Sequence, residues 1–274
     1  MSVGLIASVL TPHTPRMAVE QDAPAFIQPL IEGSKALGEW LRSLQIDCLV
    51  LHTTHWVSTF NWYATTHSRH EGLCIADEAP DLVPGLPYSR PGDPDFARAL
   101  INAGENLSIP FRTNDNPHYR WDYGTYVPLQ YIDPDAALKL ITIPTVILAD
   151  LQECIRVGEI IDSVAKAQNK RAAFIASTAL SHALVRGPEQ WPSRSDQACD
   201  TKLTEMLQDG DIAQAIQWLP EYAKSATAEM GGRVVASFLG AASTLSKHHL
   251  RTTVFGEYAQ SSGSGNLSVA ISTQ

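Results

Sequence analysis

Cysteine is scarce in this 274-residue chain, and basic runs and long apolar stretches are missing. Each absence excludes something. The four cysteines, Cys48, Cys74, Cys154 and Cys199, form no C-x-x-C pair, which argues against a disulfide framework and fits reduced thiols in a cytosolic protein. Lys and Arg number 20 against 29 Asp and Glu, a formal net charge of −9. Without a basic block such a chain is poorly equipped to grip nucleic acid or an anionic membrane surface. No run approaches the roughly 18 apolar residues that a membrane span needs. The apolar segment 3–10 has no basic flank before it and no small-residue cleavage site after it, so it reads as a first strand and not as a signal peptide. A soluble, cytoplasmic protein is expected. With 44% hydrophobic residues, a chain of this length can bury a sizeable core without a disulfide or metal staple.

What is present is alternation. Strand-like runs at 3–10, 47–52, 140–148 and 171–177 are interleaved with helix-like periodicities at 26–44, 95–104 and 151–168, the pattern of an α/β fold with helices covering a largely buried sheet. Five prolines between positions 79 and 94 predict a long ordered loop. A polar loop at 114–122 leads to a short helix after Gly124. The last third predicts helices at 196–208, 211–219 and 221–243, the second ending at Pro220, and then strands at 252–255 and 267–271 joined through the SSGSG segment. No internal repeat or charge block marks a boundary, so one domain over 1–274 is expected, a central mixed sheet flanked by helices.

Nine histidines are more than background, and several stand where predicted strands give way to loops, the usual place for chemistry in α/β folds. His13 lies between Pro12 and Pro15, a stiff loop that suits a metal ligand and equally a turn histidine held by backbone hydrogen bonds. His52 and His55 are three apart, so in an extended strand they point to opposite faces and cannot share one metal. His55, beyond the apolar run, is the better ligand candidate; His52 reads as packing or as support for it. Trp56 reads as core or as the wall of an aromatic site. His182 ends the segment STALSH among small hydroxyl residues, and imidazole is suited to exchanging protons near neutral pH. Glu229, in SATAEMGG, reads as an ordinary solvated helix glutamate or as a carboxylate reaching inward past small neighbours. Two histidines and one carboxylate can form a facial triad on non-haem Fe(II), leaving positions open for substrate and O2.

Taken together, PHTP at 12–15, HTTHW at 52–56, HEGLC at 70–74, WDYGTYVPL at 121–129, STALSH at 177–182 and AEMGG at 228–232 resemble the class III extradiol ring-cleavage dioxygenases, the protocatechuate 4,5-dioxygenase β-subunit superfamily. Within it the nearest resemblance is to the 2-aminophenol 1,6-dioxygenases. The resemblance implies Fe(II) held by His13, His55 and Glu229, with His182 as the acid–base histidine. It implies a substrate contact for Tyr123, which replaces the histidine of the Asp-His-Gly found in many relatives, and it brings His70 and His118 forward as further substrate contacts. His67 shares a loop or pocket reading with His70. The implied substrates are O2 and a small aromatic or pyridine-type ring, a 2-aminophenol, a catechol, a dihydroxypyridine or a hydroxypyridone, opened beside its two adjacent heteroatoms.

The C-terminal part also resembles the non-catalytic α chain of the aminophenol enzymes, which lacks metal ligands. Because the ligand positions are filled here, an active homo-oligomer is expected, with a homologous partner chain or a purely structural subunit as the alternative. A zinc-dependent hydrolase with a similar donor set is a third reading. Arg120 and Arg186 stand open as contacts for an acidic substituent, and His248 and His249 read as exposed.

Overall fold

A computed structural model describes residues 3–245 and 250–273; His248 and His249 lie outside the described residues. The central sheet has six strands: β1 (Gly4–Thr11), β2 (Cys48–Ser58), β7 (Lys139–Val146), β8 (Arg171–Ser177), β9 (Leu250–Ser261) and β10 (Ser264–Thr273), in the order β7-β2-β8-β1-β10-β9. The first four run parallel, while β10 is antiparallel to β1 and β9 antiparallel to β10. The expected mixed sheet is therefore present.

The parallel strands read as nearly unbroken apolar runs because both faces are covered. In β8, Ala172, Phe174 and Ala176 face one core, and Ala173 and Ile175 face the other. The first core is closed by α2 (Pro94–Asn106), α4 (Leu151–Ala167), α5 (Arg194–Gln208), α6 (Ile212–Ser225) and α7 (Arg233–Ser243). The second is closed by α1 (Gln28–Ser43) and α3 (Tyr123–Ile132). Asp93, Asp122, Asp150 and Ser193 cap the helices that follow them, each accepting a backbone N–H from three residues on. Among the described residues no helix is long and apolar enough to cross a membrane.

Three expectations need correction. The proline-rich loop contains β5 (Pro84–Pro91), which pairs antiparallel with β4 (Arg69–Ile75). A two-stranded ribbon has an open edge on each strand, and proline, which lacks an N–H, is tolerated on such edges. A second small sheet, β3 (Trp62–Thr65) with β6 (Phe111–Asn114), also escaped the sequence reading. Pro220 does not end a helix. It sits inside α6, where fully buried Leu219 and Tyr222 anchor the segment to the core and outweigh the lost hydrogen bond. The expected helix 221–243 is instead broken between α6 and α7, and Glu229 lies in that break, on a short 3-10 turn.

Candidate metal centre and substrate cavity

Strands β1, β2 and β8 deliver the site at their C-terminal ends, where parallel α/β sheets open toward ligands. His13 follows β1, His55 lies late in β2, and the segment 178–182 leaves β8. Glu229 arrives from the turn between α6 and α7. That turn reverses sharply because Met230, Gly231 and Gly232 take left-handed φ values of 48°, 65° and 76°. The paired glycines adopt this conformation at little cost.

The three proposed ligands converge. His13 Nε2 lies 3.1 Å from His55 Nε2 and 3.4 Å from Glu229 Oε1, and His55 Nε2 lies 3.8 Å from the same oxygen. One donor atom from each residue falls within 4.8 Å of the other two. The surrounding contacts orient His13 and Glu229. The Ser177 hydroxyl donates to Gly124 O at 2.5 Å, so its oxygen is left to accept from His13 Nδ1, 3.1 Å away. This fixes the proton on Nδ1 and leaves the Nε2 lone pair facing the centre. Thr54 Oγ1 lies 3.2 Å from that Nε2. On the other side, Glu229 Oε2 accepts from Ala179 N–H at 2.7 Å and Thr178 Oγ1 at 3.0 Å, which turns Oε1 toward the histidines.

Electrostatics agree with this geometry. Burial, reinforced by repulsion from His13, lowers the His55 pKa to about 3 against the attraction of Glu229, so its imidazole is neutral at working pH. Burial alone would raise the Glu229 pKa, but His13, followed by His182 and His55, holds the carboxyl well below the usual range. The ionised Glu229 carboxylate and the neutral His55 imidazole thus face each other and His13 in a buried space. A divalent cation relieves that crowding, and a 2-His-1-carboxylate set suits non-haem iron.

His182 places Nε2 3.3 Å from Glu229 Oε1. Its own backbone N–H donates to Thr227 O at 3.2 Å, so this histidine and Glu229 are held by the same pair of segments. Behind it, Asp200 is fully buried and accepts from Ser181 Oγ, Ser181 N, Tyr222 OH and Tyr258 OH. Tyr123 opens α3 directly after its cap, with its ring centroid 4.0 Å from that of His55. Burial raises its pKa, and Glu229, Glu78 and Asp122 raise it further, so the phenol remains a proton-bearing donor. Gly124 has no room for a side chain. A Cβ there would lie 2.5 Å from Thr53 Oγ1 and 3.3 Å from the His55 ring.

These residues line one cavity of about 190 Å³, bounded by His13, His55, Tyr123, His182, Glu229 and Arg16, with Ser261, Ser262, Ser264 and Asn266 from the β9–β10 hairpin forming one wall. The volume suits a single substituted ring, since a cavity of about 150 Å³ is known to hold benzene.

Other sequence candidates lie elsewhere. His70 is buried on β4, its Nε2 3.1 Å from Leu140 O and its pKa lowered by burial to about 4. It ties the small sheet to β7 and does not line the cavity, so neither a loop nor a pocket describes it. His118 sits on an exposed loop, and its N–H is held by Asn116 Oδ1. His67 contacts Asn116 O, and Trp56 packs against Tyr63 and Tyr119. Arg120 lines an adjoining cavity that shares His55 and Tyr123 with the first and is also lined by Asp77, Glu78 and Asp122. The supporting residues Ser177, Thr178, Thr54 and Arg16 were not singled out from sequence. The hydroxyl-rich STALSH was the available signal for the first two.

Comparison with known proteins agrees with this geometry. The family described as the catalytic LigB subunit of aromatic ring-opening dioxygenase matches residues 7–268. The 3,4-dihydroxyphenylacetate 2,3-dioxygenase of Escherichia coli is 22% identical over 203 residues, covering 72% of this chain and 74% of that protein. The β subunit of a Pseudomonas sp 2-aminophenol 1,6-dioxygenase is 22% identical over 250 residues, covering 82% and 81%. The α subunit of that activity from Pseudomonas sp is 23% identical over 274 residues, covering 98% and 99%. The crystal structure of an uncharacterized Escherichia coli K12 protein shares the fold, with a TM-score of 0.69 at 16% identity over 97% of this chain and 99% of that one. With the match spanning nearly its full length, this chain belongs to the LigB family of aromatic ring-opening dioxygenases.

Proposed function

We propose that this protein is a non-haem Fe(II) extradiol dioxygenase that opens a small ring beside two adjacent heteroatoms. The substrate class is a 2-aminophenol, a catechol, or a dihydroxypyridine or hydroxypyridone. The observation that carries the reading is the convergence of His13, His55 and Glu229, with His13 and Glu229 each oriented by a partner on the side away from the centre. A non-catalytic subunit has no use for such a set.

His13, His55 and Glu229 would hold the iron, which when bound supplies a Lewis-acidic, redox-active centre with open positions for the substrate heteroatoms and O2. The chain's own residues do the rest. The cavity admits one ring and places its polar edge beside the histidines. His182 takes the proton released when the ring hydroxyl or amino group binds, and returns it to oxygen as the ring opens. Tyr123, unable to ionise, donates a hydrogen bond to substrate or oxygen from the far side of His55. The active species is proposed to be a homo-oligomer; a homologous partner chain would appear on purification.

The test is O2 uptake by protein reconstituted anaerobically with Fe(II), against 2-aminophenol, catechol and pyridinediol-type compounds. Uptake with loss of ring absorbance is expected for at least one class. One bound zinc and no uptake would replace the reading with a hydrolase. Tyr123→Phe is expected to keep iron and to raise KM or lower kcat; unchanged kinetics would make Tyr123 a packing residue.

A further inference from the structure

Arg16 lines the same cavity as the metal-ligand set, and it forms no hydrogen bond or ion pair with any described residue. Its backbone is nonetheless fixed on both sides. Thr14 Oγ1 is 2.8 Å from Ser261 Oγ, Pro15 opens the 3-10 turn that carries Arg16, and Met17 O accepts from Gln130 Nε2 at 2.8 Å and Tyr131 OH at 2.6 Å. A half-buried guanidinium on an anchored backbone, with its five donors unspent, is a preorganised anion receptor.

The rest of the wall fits the same ligand. Among the described residues lining the cavity, Arg16 is the one cationic side chain apart from the histidines, and Glu229 the one acidic side chain. The Glu229 charge is already committed to Ala179 N–H, Thr178 and the histidines. Ser261, Ser262, Ser264 and Asn266 bring hydroxyl and amide side chains, not opposing charge, to the lining of the same cavity. Asp22 and Asp81 border a smaller cavity on the other side of Arg16, but neither pairs with it. Because the protein as a whole is negative, an anionic substrate gains little from long-range attraction and needs a local cation.

We infer that Arg16 selects ring substrates carrying a carboxylate, binding that group while the adjacent heteroatoms face His13, His55 and Glu229. This rests on the ring-opening reading above and narrows its substrate class to aromatic acids.

The experiment measures dissociation constants by calorimetry on anaerobic Fe(II)-loaded protein, wild type and Arg16→Gln. The probes are catechol, 3,4-dihydroxybenzoate, 2,3-dihydroxybenzoate, 3,4-dihydroxyphenylacetate, 2-aminophenol and 3-amino-4-hydroxybenzoate. At least one acid should bind wild type about tenfold or more tighter than its uncharged parent, the size of a charge-assisted hydrogen bond. In Arg16→Gln that ratio should fall toward one, and Arg16→Lys should restore part of it. If the parents bind but no acid is preferred, or if the preference survives Arg16→Gln, the inference is overturned while the ring-opening reading stands. If no ring compound binds, both fall.

Discussion

Two histidines three residues apart on β2 face opposite sides of the sheet and do different work. His52 is fully buried, and both of its ring nitrogens are spent: Nδ1 is 3.1 Å from Ser237 Oγ and Nε2 3.2 Å from Thr145 Oγ1. Burial lowers its pKa to about 3. His55 has a similarly depressed pKa, but among the described residues the polar contacts of its Nε2 are His13 and Glu229. A shifted pKa therefore does not separate a core histidine from a proposed ligand. The separation lies in whether a ring nitrogen is left without a protein proton to share. Burial makes both imidazoles neutral; the β-strand's alternation sends one lone pair into packing and the other into the cavity.

Several substitutions sharpen or break this comparison. On the ligand side, Glu229→Ala should have the largest effect. It removes the anionic donor and leaves Ala179 N–H unpaired, so the protein should retain no stoichiometric Fe(II) after dialysis by metal analysis. Full retention would remove Glu229 from the centre. His182→Ala should keep iron while turnover falls about 10²- to 10⁴-fold, the usual worth of a positioned acid–base group; wild-type kcat would end that assignment. Ser177→Ala touches no proposed ligand atom facing the centre, only the proton side of His13. Losing that partner should weaken Fe(II) binding by about 10- to 100-fold, read by competition with a chelator.

On the packing side, the expected effect is on stability and its pH dependence. A buried neutral histidine with a folded pKa near 3 and an unfolded value near 6.5 binds fewer protons folded than unfolded between those values. His52 therefore favours the folded state fully above about pH 6.5, and that contribution is lost as pH falls toward 3. His70, lowered to about 4, acts in the same direction. His52→Asn should flatten the acid limb of denaturant-derived stability by about 1.4 kcal/mol per pH unit, the weight of one proton. An unaltered slope would show that His52 titrates normally.

How far the sequence disclosed this arrangement depends on the range of the forces involved. The parallel strands and their helices were legible because apolar runs and helical spacing are local signals, and the opposite facing of His52 and His55 follows from strand geometry alone. The hairpin of β4 and β5 was hidden by Pro84, Pro87 and Pro91, whose strand role depends on an edge that only pairing defines. Glu229 reads as helical because apolar residues recur at three-to-four spacing over 221–243. Gly231 and Gly232 were the local sign of the break, and the contacts that aim the carboxylate come from residues about fifty positions away. The proposed ligand identities rest on resemblance, since spacing does not show that positions 13, 55 and 229 meet. His70, implied by resemblance to touch substrate, is instead occupied by Leu140 O.

The most direct test of the two faces of β2 is anaerobic titration of Fe(II) into wild type, His55→Ala and His52→Asn, with the fold of each checked by circular dichroism. Wild type and His52→Asn should each take up one Fe(II) per chain at similar affinity, while folded His55→Ala should take up none over the same range. Equal uptake by all three proteins, or loss of iron in folded His52→Asn with retention in His55→Ala, would contradict the account.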